Sequence, residues 1–170
     1  RDVERRVVEQ ACSTLRSVKP ELLVGINWAY TPRHPAAPPE HVSFLTLDIY
    51  EGDCPVLQAS YHAKYFDQFG KPFDVMTTRF LNWWGDWGFK SLDQVLAECA
   101  TIAANGGLCI IGDHLYVDGS LEEASIQLFS KAFSFIKTRE KLLPSESVPN
   151  IAVLWSLHNA GKQPAVLVDD

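Results

Sequence analysis

Two carboxylates, Asp48 and Glu51, stand at the end of an alternating apolar run, Leu45, Leu47 and Ile49, and a third, Asp113, follows a later apolar run. Cleavage of a glycosidic bond requires such groups. One carboxyl releases the leaving group as an acid while another serves as nucleophile or base, with about 5 to 5.5 Å between them for retention and more for inversion. Asp48 and Glu51 are therefore the candidate catalytic pair, and Glu51 is the more reachable because it lies beyond the strand. Arg79, Asn27, His114 and Asp113 offer hydrogen-bond partners for hydroxyl groups. Indole rings complete the set, since sugars lay flat CH faces on aromatic surfaces. Trp28, Trp83, Trp84 and Trp87 all follow strand-like runs, and residues 76 to 88 combine three of them with Arg79 and Asp86. Exposed indoles are costly unless something covers them. The bland alternatives are that these rings plug the top of a core and that a single rim carboxylate caps or bridges.

Other chemistries find less support. Asp113 and His114 invite a metal, with His41 or His34 as helpers, but no second histidine stands at a ligand spacing from His114. Cys12, Cys54, Cys99 and Cys109 are scattered without a CxxC and read as buried thiols. Cys54 has nothing nearby to lower its pKa, and His62 falls on the surface of a helix. No metal and no cofactor are expected. The 15 basic and 21 acidic residues give a formal charge of -6, with no basic stripe to track a phosphate backbone. No apolar run approaches the roughly 20 residues that cross a bilayer. The expected partner is thus a carbohydrate, not nucleic acid or membrane.

The elements that must position these groups follow from hydrophobic period. The 170 residues, 46% of them apolar, are enough for one sizeable core. Asp2 to Val18 has helical spacing and ends at Pro20; Leu22 to Trp28 is a strand. A proline-rich loop between residues 32 and 39 leads to a strand over Val42 to Tyr50, then a helix over Val56 to Phe69 closed by Gly70. Phe73 to Phe80 is the third strand. Ser91 caps a helix over Leu92 to Asn105, with Gly106 and Gly107 as its stop. Leu108 to Gly112 is the fourth strand, and Leu121 to about Leu143 the last helix. Strand-then-helix repetition implies parallel strands with crossover helices.

A doubly wound sheet would show a glycine-rich phosphate loop after its first strand, and none is present. The chemically rich loops all follow strands, as in a (β/α)8 barrel, so the expected architecture is α/β, the C-terminal half of a TIM barrel. Strand alternation then selects the inward groups: Asn27 on the first strand, Thr46 and Asp48 on the second, Thr77 and Arg79 on the third, Asp113 or His114 after the fourth.

Val75-Met76-Thr77-Thr78, then Trp83-Trp84-Gly85-Asp86-Trp87-Gly88, Ser91-Leu92, Asn105-Gly106-Gly107, Ile111-Gly112 and Asp118-Gly119 resemble, in order and spacing, the motifs of the alpha-L-fucosidase family of retaining glycoside hydrolases. The resemblance covers about residues 5 to 143. It extends to fucosidase-related glycosyl hydrolases in which the barrel is followed by a beta-galactosidase trimerisation-type domain with an amidotransferase-like α/β fold. It implies cofactor-free hydrolysis and a nucleophile on a strand preceding Asp2. Pro72-Phe73 stands where those enzymes carry Trp-Glu, and Asp113 replaces the proline of their Ile-Gly-Pro.

These readings divide the chain into the half barrel over residues 1–143, a linker over 144–150 and the start of a following α/β domain over 151–170, with Ile151 to Trp155 as its first strand. The chain reads as a fragment, inactive alone, of a hydrolase that forms homo-oligomers through the following domain. The competing class is a non-catalytic carbohydrate-binding or interaction barrel, and a third is a metal-dependent hydrolase.

Overall fold

The computed structural model describes residues 2–27, 29–32, 35–49, 55–82, 86–143 and 148–155. The chain runs α1 (Asp2–Val18), β1 (Gly25–Asn27), β2 (Phe44–Asp48), α2 (Pro55–Asp67), β3 (Phe73–Thr78), α3 (Leu92–Ala104), β4 (Leu108–Gly112) and α4 (Glu123–Lys137). All three strand pairs are parallel, in the order β1-β2-β3-β4. β2, β3 and β4 are joined through α2 and α3, whereas no helix separates β1 from β2 among the described residues; parallel neighbours in sequential order give an α/β architecture of the kind found in part of a (β/α) barrel.

Helices cover one face of this sheet. Leu45 and Leu47 of β2 and Phe73 and Val75 of β3 pack with Cys12 of α1, Ala59, Ala63 and Phe66 of α2 and Ile102 of α3 into the main core. The register pairs Leu45 with Phe73 and Leu47 with Val75, so one apolar row crosses both strands. A second cluster joins Val95 and Cys99 of α3 to Ala132 of α4, with Cys109 and Ile111 of β4 packed against it. The other face carries Gly25 and Asn27, then Phe44, Thr46 and Asp48, then Asp74, Met76 and Thr78, with Leu108 and Ile110 exposed on β4. A Cβ at Gly25 would lie 2.2 Å from the Phe44 ring, so a larger residue there would have to displace that ring.

The local signals act where the residues place them. Ser91 Oγ accepts from Gln94 N at 3.2 Å and starts α3, while Gly106, at φ +83°, ends it. A Cβ on Gly107 would meet the Phe73 ring at 2.7 Å and Ile102 Cγ2 at 2.9 Å, so the strand can enter here only without one.

Three expectations change. His62, expected on the surface of its helix, is buried. Thr77 lies on the helix-covered face, where its hydroxyl donates to Glu98 of α3, so the polar alternate facing the open side of β3 is Asp74. The reason is that a buried ion pair satisfies Thr77 between sheet and helix. Ile151 to Trp155 forms no strand; Ile151, Val153 and Leu154 are exposed, and no ladder partner exists for them among the described residues. Trp155 Nε1 instead donates to the Pro32 carbonyl at 2.6 Å. The following domain expected over 151–170 lies, from residue 156 on, outside the described residues, as do residues 144–147 of the linker.

Candidate functional site

The ends of β3 and β4 are tied by a buried ion pair. Arg79 Nε donates to Asp113 Oδ1, with the two side chains 1% and 4% exposed. Arg79 Nη1 donates to the Gly88 carbonyl at 3.0 Å, and the Arg79 N–H donates to the Gly112 carbonyl at 3.2 Å. Asp113 Oδ1 also accepts from the His114 backbone at 2.7 Å, whereas Asp113 Oδ2 is buried without a hydrogen-bond partner among the described residues. The guanidinium carbon sits 4.5 Å from the Phe80 ring, 4.7 Å from Phe89 and 5.5 Å from Trp87. A cation held among aromatic faces fixes those rings as well as the loop that carries them.

That loop, Phe80 to Phe89, is closed at its base by Lys90 N donating to the Arg79 carbonyl at 2.8 Å. Beneath it, Lys90 Nζ donates to Glu98 Oε2 at 3.0 Å and to Thr77 Oγ1 at 3.1 Å, with both charged side chains essentially inaccessible. Gln94 Nε2 donates to the other oxygen, Glu98 Oε1, at 3.1 Å. Within the loop Asp86 accepts from Asn82 N and Gly88 N, an Asx-type turn that sets the position of Trp87.

Trp87 is 62% exposed and lies parallel to Tyr116, centroids 5.9 Å apart and planes 18° apart. The turn after β4 holds Tyr116 in place: its N–H donates to Ser120 O, its carbonyl accepts from Gly119 N, and its hydroxyl donates to Glu122. The bond to Glu122, ahead of burial, raises the Tyr116 phenol above its ordinary pKa. Two exposed, immobilised rings in one orientation make a surface suited to the flat face of a sugar. Tyr116 and Phe89 were not among the residues singled out from sequence; the Asp118-Gly119-Ser120 turn is the signal that marks Tyr116 as rim.

A second group occupies the open sheet face. Asn27 pairs in register with Thr46, and Thr46 with Asp74, while Asp48 ends β2 opposite Met76. Thr46 Oγ1 donates to Asp74 Oδ1. Burial pushes the Asp74 carboxyl above the ordinary carboxylate range, the Thr46 bond opposes this, and the nearby Asp48 reinforces it. Asp74 is thus a carboxyl neighbouring Asp48 that sequence reasoning missed; an aspartate inside the apolar run from Phe73 to Val75 is the signal that could have found it.

Of the residues expected from sequence, Arg79, Trp87, Asp113 and His114 come together at the ends of β3 and β4, where the His114 ring lies 4.9 Å from Phe80. Asn27 and Asp48 belong to the open-face group. Glu51, Trp28, Trp83 and Trp84 lie outside the described residues. Among the described residues no group of three or more His, Cys, Asp or Glu is placed to hold a metal ion, and no helix is long and apolar enough to cross a membrane.

The four-stranded parallel sheet alternating with helices, with its chemistry-bearing loops after the strands, is consistent with part of a (β/α) barrel-like fold. Among solved structures, the chain is similar to alpha-L-fucosidase isoenzyme 2 from Paenibacillus thiaminolyticus, with a TM-score of 0.67 and 25% sequence identity over 83% of this chain. The match spans 22% of the fucosidase's length. No protein-family model matches the chain, and no curated protein matches it either.

Proposed function

We propose that this chain forms part of a glycoside hydrolase barrel that acts on O-glycosides of the α-L-fucoside type. The observation that carries this reading is the structural likeness to a fucosidase across most of the chain. The rim agrees with it chemically: Trp87 and Tyr116 offer a stacking surface. Asp48 and Glu51 are the candidate acid/base carboxylates, with Asn27, His114, Trp28, Trp83 and Trp84 as further sugar contacts; Asp113, expected from the sequence to bind the sugar, is instead buried against Arg79. The nucleophile comes from a strand preceding Asp2. Exposed apolar rows on α1 (Val3, Val7) and α4 (Ile126, Phe133), with Leu108 and Ile110 on the open sheet face, fit the further strand–helix units that a barrel requires. A trimerisation-type domain beyond residue 151 would make the whole protein a homo-oligomer.

A second reading, a carbohydrate-binding barrel without turnover, is favoured by one observation. The Arg79 guanidinium is committed to Asp113 and Gly88 and is 1% exposed, so it holds the rim together and does not reach for substrate. The test uses a longer polypeptide that includes this chain, assayed on an aryl α-L-fucoside and a fucosylated oligosaccharide. Turnover that falls by ~10² to 10⁴ in Glu51→Gln or Asp48→Asn supports the hydrolase. Binding without turnover supports the second reading, and neither binding nor turnover rejects both.

A further inference from the structure

Two cysteines outside the candidate site meet where β4 packs on α3. Cys99, on α3, is fully buried, and Cys109, on β4, is half-buried in the same cluster with Val95, Ile111 and Ala132. Cys109 Sγ donates to the Cys99 carbonyl at 3.1 Å, which sets its sulfur against the turn of α3 that carries Cys99. Cys12 lies in the other core cluster, against which Cys109 also packs, but the hydrogen bond of Cys109 goes to Cys99.

We propose that Cys99 and Cys109 are a redox-modification site that closes to an intramolecular disulfide on reaction with a small disulfide such as oxidised glutathione. Cys109 is the sulfur that reacts first. It is the more accessible of the two, and the hydrogen bond from Cys99 lowers its pKa despite burial, whereas the same bond and burial push the Cys99 thiol up. The Cys109 thiolate attacks one sulfur of the oxidant and forms a mixed disulfide, releasing one glutathione thiolate that takes up a proton. Cys99 then gives up its proton and displaces the second glutathione. Two protein S–H bonds and one oxidant S–S bond become one protein S–S bond and two glutathione thiols, so atoms and electrons balance.

The site bears on the rim because Glu98, the residue before Cys99, anchors Lys90 and Thr77 beneath the aromatic loop. A bond from Cys99 to β4 would fix the helix turn that carries Glu98 and so stiffen the base of the loop.

The experiment treats the folded full chain with oxidised glutathione, blocks remaining thiols with iodoacetamide and maps the peptides. A mass decrease of about 2 Da and a cross-linked Cys99–Cys109 peptide pair are expected. In Cys99→Ser the reaction should stop at a glutathione adduct on Cys109. Separate alkylation of Cys99 and Cys109 after oxidation would overturn the proposal, as would preferred linkage of either one to Cys12 or Cys54.

Discussion

Arg79 and Asp113 pair across the ends of β3 and β4 with almost no solvent access, and the same guanidinium holds Gly88 and lies against Phe80, Phe89 and Trp87. One cation therefore fixes two strand ends and one aromatic loop. Arg79→Ala should cost about 3 to 5 kcal/mol in urea unfolding, because it strands a buried carboxylate whose other oxygen has no partner among the described residues. A loss under about 1 kcal/mol would show that water replaces the guanidinium. Arg79→Lys should recover little, since an ammonium cannot reach Asp113 and Gly88 as a planar fork does.

The Lys90–Glu98 pair predicts a different pattern. Removal of either partner leaves a charge buried, so Lys90→Met and Glu98→Leu should each be destabilising by about 3 to 5 kcal/mol, while the double variant recovers most of the loss. A double-mutant cycle by denaturant unfolding measures this. Additive losses would mean that the two charges do not depend on each other.

Asp74 makes stability depend on pH with a defined sign. Its folded carboxyl lies above the ordinary value, so the stability it contributes is fully present below the unfolded pKa and is lost as pH rises through the folded one. Asp74→Asn keeps an acceptor for Thr46 and does not ionise. Its unfolding midpoint relative to the wild type should therefore rise between about pH 3.5 and about pH 7. A difference that is flat or falls over that range would contradict the assignment.

The readable parts of the fold were those with local signals. Ser91, Gly106 and Gly107 mark the ends of α3 in the sequence and do so in the structure, because caps and stops act through neighbouring backbone. The alternation of β2 was legible for the same reason, since Leu45, Leu47 and Thr46 differ plainly in polarity. β3 was not. Thr77 is polar yet buried against α3, because Lys90 and Glu98 supply partners that lie 13 and 21 positions away in the chain. A strand read alone cannot reveal satisfaction from such a distance. Trp87 was legible as a rim residue by type, whereas Tyr116 depended on a turn in another loop meeting it.

Tyr30 offers a simpler test. It follows β1 at φ +58°, its ring is buried and its hydroxyl has no hydrogen-bond partner among the described residues. Tyr30→Phe deletes an unsatisfied buried polar atom and keeps the ring, so the Tm should stay equal or rise by a few degrees. A clear fall in Tm would reveal a partner for that hydroxyl.

The bond from Trp155 Nε1 to the Pro32 carbonyl joins positions 123 residues apart. Closing a chain of that length costs roughly 4 kcal/mol in entropy, more than the ~1 kcal/mol that one hydrogen bond returns. The contact therefore forms only after the intervening strands and helices have drawn its ends together. Trp155 is thus a position whose fluorescence should change late in refolding, after the strands and helices between it and Pro32 have packed.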